Sequence, residues 1–123
     1  ARLVAAASDP RVNVLGHYTG RRVLTGRGHR PPSTFDAEAV FRACAAHGTA
    51  VEINSRPERV DPPDELITMA RDLGCLFAID SDAHAPGQLP FSVLGAQRAA
   101  QHRIAPDRIV TTWSVERMLA WTG

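Results

Sequence analysis

Short apolar runs recurring between stretches of helical periodicity constrain this chain more than any other feature. Val12-Asn13-Val14-Leu15-Gly16, Ala50-Val51-Glu52-Ile53-Asn54 and Cys75-Leu76-Phe77-Ala78-Ile79 each have the length and side-chain type of a buried strand. Between the first two, residues 35–47 carry Val40, Phe41, Cys44 and Ala45 at helical spacing, with Gly48 as the natural stop. Between the second and third, residues 64–73 read as a helix stopped by Gly74. A helix over residues 2–7, closed by Ser8-Asp9-Pro10, precedes the first run. After the third run come a helix over 91–102, ragged at Gly95, a short strand at Ile109-Val110-Thr111, and a terminal helix capped by Ser114 and running through Trp121.

Strands of about five residues alternating with helices of about ten mean parallel βαβ units, so the fold class is α/β. The strands are too few to close a barrel, and the chain opens in mid-element. Residues 1–123 are therefore expected to be the C-terminal portion of a larger (β/α) barrel domain, with the N-terminal half absent from this chain. A connection of about eighteen residues, from His17 to Thr34, exceeds the ordinary loop range and marks a functional or mobile segment.

Composition narrows the class. The chain is 44% hydrophobic and 22% charged, which suits a soluble globular domain and excludes a disordered one. No apolar run approaches the roughly 20 residues that span a bilayer, and no leader is visible, so the expectation is a cytoplasmic protein without a membrane partner. A net charge of +1 gives no global field, so any anion must be held locally. Every one of the 14 basic side chains is Arg, a planar fork suited to carboxylate or phosphate. Cys44 and Cys75 lack CxxC spacing and read as small buried residues of a reducing compartment.

Active sites of parallel α/β folds lie at the carboxyl ends of the strands. The unusual polar residues fall there: His17 follows the first strand, Glu52 and Asn54 belong to the second, and Asp82 and His84 follow the third. If the backbone is extended, Asp82 and His84 point the same way and converge, an oxygen–nitrogen pair suited to zinc, manganese or iron. The plainer alternative makes Asp82 a turn cap and His84 a surface residue. Glu52 inside a short strand needs a partner, either an Arg (Arg21, Arg56 or Arg59) or a metal-bound group that it orients. Arg21, Arg22, Arg27 and Arg30 in one loop, with Arg56 and Arg59 in the next, form a solvated basic face or a phosphate-facing rim. His29, His47 and His102 read as structural or exposed. Trp113 and Trp121 read as packing for the terminal helix.

Three segments in order, Gly16-His17-Tyr18-Thr19-Gly20-Arg21, then Glu52-Ile53-Asn54-Ser55-Arg56-Pro57-Glu58-Arg59-Val60-Asp61, then Ile79-Asp80-Ser81-Asp82-Ala83-His84, resemble the later motifs of the PHP (polymerase and histidinol phosphatase) family. Within it, the nearest resemblance is to the PHP domain of bacterial family X DNA polymerases and their stand-alone relatives. The resemblance implies a distorted (β/α)7 barrel holding two or three divalent ions (zinc, manganese or iron) in a phosphoesterase site. His17, Asp82 and His84 match ligand positions and would act in catalysis through bound metal. Glu52 and Asn54 match positions that orient the ligands, and Arg21 and Arg59 match basic positions facing phosphate. Tyr18 departs from the family's common Pro, and the family's opening His-x-His strand has no counterpart here.

The function implied for the intact protein is metal-dependent phosphoester hydrolysis at nucleic-acid 3′ ends, as exonuclease or 3′-phosphatase. Two alternatives remain open: a small-molecule phosphatase of the histidinol-phosphatase kind, and a non-catalytic PHP scaffold. The expected partner is a phosphate ester, with DNA among the candidates. The isolated chain is expected to be inactive, and its oligomeric state is left open.

Overall fold

The structure is a computed structural model that describes residues 2–16, 35–57 and 60–123. Three strands form one parallel sheet in the order β1 (Val14–Leu15), β2 (Ala50–Asn54), β3 (Leu76–Asp80). Helices α1 (Arg2–Ser8), α2 (Ala37–His47), α3 (Asp64–Asp72), α4 (Ser92–Gln101) and α5 (Val115–Thr122) alternate with and follow them. The α/β class and the parallel sheet expected from the sequence are both present.

Local chemistry sets the boundaries. Asp36 caps α2 by accepting from the Ala39 N–H at 3.1 Å, and Gly48 closes it at φ +69°, a conformation that costs glycine little. Ser114 caps α5 through the Arg117 N–H at 3.2 Å. β2 is buried along its whole length because helices cover one face and the C-terminal segment lies on the other. On the helix side, Val51, Ile53, Phe77 and Ile79 pack with Phe41, Cys44 and Ile67 into the main core. On the other side, Ala50 and Ala78 pack with Val110, Trp113, Met118 and Trp121.

Trp113 and Trp121 meet edge to face at 5.8 Å, and the Trp121 indole N–H reaches the Gly48 carbonyl at 2.7 Å. They pack the terminal helix, as their positions suggested. Cys44 and Cys75 are buried free thiols, and burial pushes them up to about 11 and about 12.

Three sequence expectations are corrected. The first strand is two residues long, because the Val12 N–H turns back to the Asp9 carbonyl at 3.0 Å and delays entry into the sheet. Ile109-Val110-Thr111 is not a strand. Ile109 makes one isolated parallel bridge to Phe77, and Val110–Thr112 then coil into a 3-10 turn in which the Thr112 hydroxyl donates to the Ile109 carbonyl at 2.8 Å. Gly95 does not fray α4. It is buried where the helix crosses closest to the sheet, and a Cβ there would lie 2.2 Å from Ser55 Oγ and 2.7 Å from Ile79 Cγ2. A 3-10 segment, Pro86–Phe91, precedes α4, within a stretch read from the sequence as a Pro/Gly loop.

Candidate active site

The parallel register sets Asn54 opposite Asp80, so β2 and β3 end level with each other. Alternation then puts Glu52, Asn54 and Asp80 on the sheet face turned away from α2 and α3. Glu52 is 8% exposed and Asn54 1%, a burial at which each polar atom needs a partner. The Asn54 amide supplies it: Nδ2 donates to Asp82 Oδ2 at 3.2 Å and makes a longer contact with Glu52 Oε1 at 3.5 Å. Its Oδ1 accepts the Arg56 backbone N–H at 3.0 Å.

Three carboxylates therefore crowd the strand ends. Burial, together with a hydrogen bond to Glu52 and repulsion from Glu52 and Asp82, pushes the Asp80 carboxyl up to about 8. The shift favours the protonated form of Asp80. Its Oδ1 is buried with no hydrogen-bond partner among the described residues.

The loop after β3 is held from across the sheet. Arg56 Nη1 donates to the Asp82 carbonyl at 2.9 Å and to Gln88 Oε1 at 3.2 Å, and lies 2.7 Å from His84 Nδ1. Gln88 Oε1 also accepts the His84 N–H at 2.8 Å. The sequence offered Arg56 as a partner for Glu52 or a rim cation; its guanidinium also clamps this loop.

Asp82 and His84 do not converge in the way the sequence implied. β3 ends at Asp80, and Asp82 stands at φ +51°, so the backbone between the two side chains is not extended. The Asp82 carboxylate turns to Asn54, while His84 Nδ1 lies 2.8 Å from the Asp82 carbonyl oxygen. Glu52 and Asn54 lie in β2, as the strand pattern implied. His17, Arg21 and Arg59 lie outside the described residues. His102 is structural, with Nε2 3.1 Å from Asp64 and Nδ1 3.2 Å from the Thr68 hydroxyl. Sequence reasoning passed over Asp80 and Gln88. The spacing Asp80-Ser81-Asp82 was a usable signal for the first; nothing local marked the second.

Among the described residues, no group of three or more His, Cys, Asp and Glu side chains is spaced to hold a metal ion. The strand ends bring together the carboxyl groups of Glu52, Asp80 and Asp82, with Asp80 Oδ1 buried and lacking a hydrogen-bond partner among the described residues. A cleft of about 360 Å³ along α4, lined by Asn54, Pro57, Val60, Leu94 and Gln97 among others, has Asn54 in common with this group.

No family model matches the chain. It is similar to a protein named as a probable phosphatase from Vibrio parahaemolyticus, 29% identical over 126 aligned residues, covering 97% of this chain and 46% of that protein. A probable phosphatase of Aliivibrio fischeri (strain ES114) is 28% identical over the same shares. The DNA polymerase/3′-5′ exonuclease PolX of Bacillus subtilis is 30% identical over 83 residues, 68% of this chain and 14% of that protein. The chain thus spans about half the length of the two phosphatase-named relatives and a smaller part of the polymerase. No helix among the described residues is long and apolar enough to cross a membrane.

Proposed function

We propose that this chain is the C-terminal part of a PHP-type domain, a (β/α)7 barrel, in a metal-dependent phosphoesterase. The observation that carries the reading is the crowding of Glu52, Asp80 and Asp82 at the level ends of β2 and β3, with a buried carboxylate oxygen left without a partner. Such a cluster calls for a proton or a cation. The names of relatives matching along 97% of the chain support phosphate-ester chemistry for the cation.

Asp82 and His84, with His17, would hold two or three divalent ions of the zinc, manganese or iron kind. When bound, these ions would supply Lewis-acid activation of water and neutralise charge on the attacked phosphate. The remaining work falls to the chain itself. The Asn54 amide fixes the Asp82 carboxylate, Glu52 and Asp80 complete the carboxyl wall behind it, and Arg21 and Arg59 would meet phosphate oxygens. The cleft beside Asn54 gives room for the organic part of an ester.

For the substrate, the match to PolX favours nucleic-acid 3′ ends, by exonuclease or 3′-phosphatase action. The longer matches to phosphatase-named proteins favour a second reading, a small phosphomonoester. The test is Asp82→Asn in the full-length protein. Metal-stimulated hydrolysis should disappear, and hydrolysis unchanged from the parent would sink the assignment. Assaying 3′-labelled DNA beside free phosphate esters separates the two substrates.

A further inference from the structure

The 3-10 segment after β3 opens at Ala85, whose side chain has no oxygen to cap it, with Pro86 next and Gln88 three positions in. Gln88 supplies what Ala85 lacks. Its main-chain N–H donates to the Ala85 carbonyl at 3.0 Å, and its side chain turns back so that Oε1 accepts the His84 N–H at 2.8 Å. A glutamine at the third position of a helical turn, reaching back to an N–H ahead of that turn, is one half of a capping box. Arg56 Nη1 lies 3.2 Å from the same oxygen. A main-chain N–H and a guanidinium can only donate, so both neighbours fix the carboxamide with its oxygen towards them.

We infer that Gln88 is a positioning residue for His84: it holds the His84 main chain and so sets where the imidazole stands. The stretch it governs is short and bound at both ends. Arg56 Nη1 lies 2.9 Å from the Asp82 carbonyl oxygen, and Gln88 takes the His84 N–H two residues on. Asp82 stands at φ +51°, a left-handed conformation that a non-glycine residue keeps where its surroundings impose it. His84 itself is exposed, so packing does little to hold it and hydrogen bonds must.

The consequence for the site rests on the proposed phosphoesterase reading, in which His84 would help to hold the ions. A side chain already fixed in place gives up less freedom on binding. A loosened His84 main chain should therefore weaken the hold on an ion without removing a ligand. Gln88 would act on the site through His84 alone. A residue that merely stabilised the loop would act on Asp82 as well, and its loss would be felt whether or not the imidazole were present.

Two variants of the full-length protein test this. Gln88→Met keeps the length of the side chain and removes the acceptor, whereas Gln88→Glu keeps an acceptor oxygen. In the metal-free protein, amide hydrogen exchange at His84 should run about three- to tenfold faster in Gln88→Met than in the parent, the loss of one hydrogen bond. In Gln88→Glu it should stay at or below the parent's rate. Zinc affinity, read by competition with a chromophoric chelator, should fall about tenfold in Gln88→Met and recover in Gln88→Glu. In a His84→Ala background, Gln88→Met should change zinc affinity by less than about twofold. An exchange rate at His84 unchanged by Gln88→Met overturns the inference, as does an effect on zinc that persists in full without the imidazole. Should Gln88→Met fail to fold, Gln88→Ala at this half-buried position reads the same two quantities. A parent that binds no zinc would sink the phosphoesterase reading, and the exchange rates, measured without metal, would still decide the positioning.

Discussion

The side-chain amide of Asn54 lies 3.2 Å from the Asp82 carboxylate, joining the end of β2 to the loop after β3. The same amide nitrogen reaches towards Glu52 at 3.5 Å, and Asn54 itself is 1% exposed. One neutral side chain thus separates two anionic groups while taking a hydrogen bond from the Arg56 backbone.

Asn54→Leu keeps the volume and removes both donor and acceptor. It should lower the stability of the metal-free protein by about 1–3 kcal/mol, the cost of leaving buried polar groups unpaired. Asn54→Asp keeps the acceptor but adds another carboxylate to the cluster, and should cost at least as much. Urea unfolding at neutral pH measures both. An unfolding midpoint equal to the parent's in either variant would show that the amide does not organise the cluster.

Gly95 gives a second expectation, this one steric. A Cβ on α4 at this position would sit 2.2 Å from Ser55 Oγ and 2.7 Å from Ile79 Cγ2, distances no relaxed contact reaches. Gly95→Ala should destabilise by about 1–3 kcal/mol through overpacking, against the slight gain alanine brings to an unobstructed helix. Adding Ser55→Ala removes the nearer obstacle but leaves the methyl group of Ile79. The double variant should therefore regain part of the loss and not all of it. Thermal melts of the two variants beside the parent test this, and a Gly95→Ala protein that melts higher than the parent would refute the close approach.

What the sequence disclosed follows from which interactions are local. β2 and β3 were legible because buried strands must be apolar on both faces, and α2 because Asp36 and Gly48 mark its ends within the helix's own turns. Glu52 and Asn54 stood out for the same reason, as polar residues in an otherwise apolar run. Ile109-Val110-Thr111 misled because its β-branched side chains suit a strand. Its backbone is instead closed by threonine hydroxyl and 3-10 bonds, which composition does not report.

The site was only half legible for a related reason. Its carboxylates lie where strand ends put them, but Asp82 takes a positive φ without the glycine that would have announced it. The Arg56 clamp on His84 and Gln88 spans 28 and 32 residues, a contact between two loops that no periodicity encodes. Gly95 is the converse case. Its lack of a side chain is plain in the sequence, but Ser55, which requires it, lies 40 positions away.

The link between α3 and α4 supplies a pH dependence whose sign can be worked out. Hydrogen bonds from Arg98 and then from His102, at 3.0 and 3.1 Å, hold the Asp64 carboxyl below its ordinary value. The folded chain therefore binds this proton less readily than the unfolded one, whose carboxyl titrates near about 3.9. The stabilisation is present in full above that unfolded value and is lost as pH falls through the lower, folded one. The Asp64 side chain is 72% exposed, so solvent screening limits the effect to about 1 kcal/mol or less, and added salt should shrink it. Asp64→Asn should be less stable than the parent at pH 6, and the gap between the two should close as the solution is acidified below the ordinary carboxylate range. Denaturant midpoints across that range measure the gap. A gap that widens on acidification, or that is indifferent to both pH and salt, would mean the carboxylate's charge does not tie these helices together.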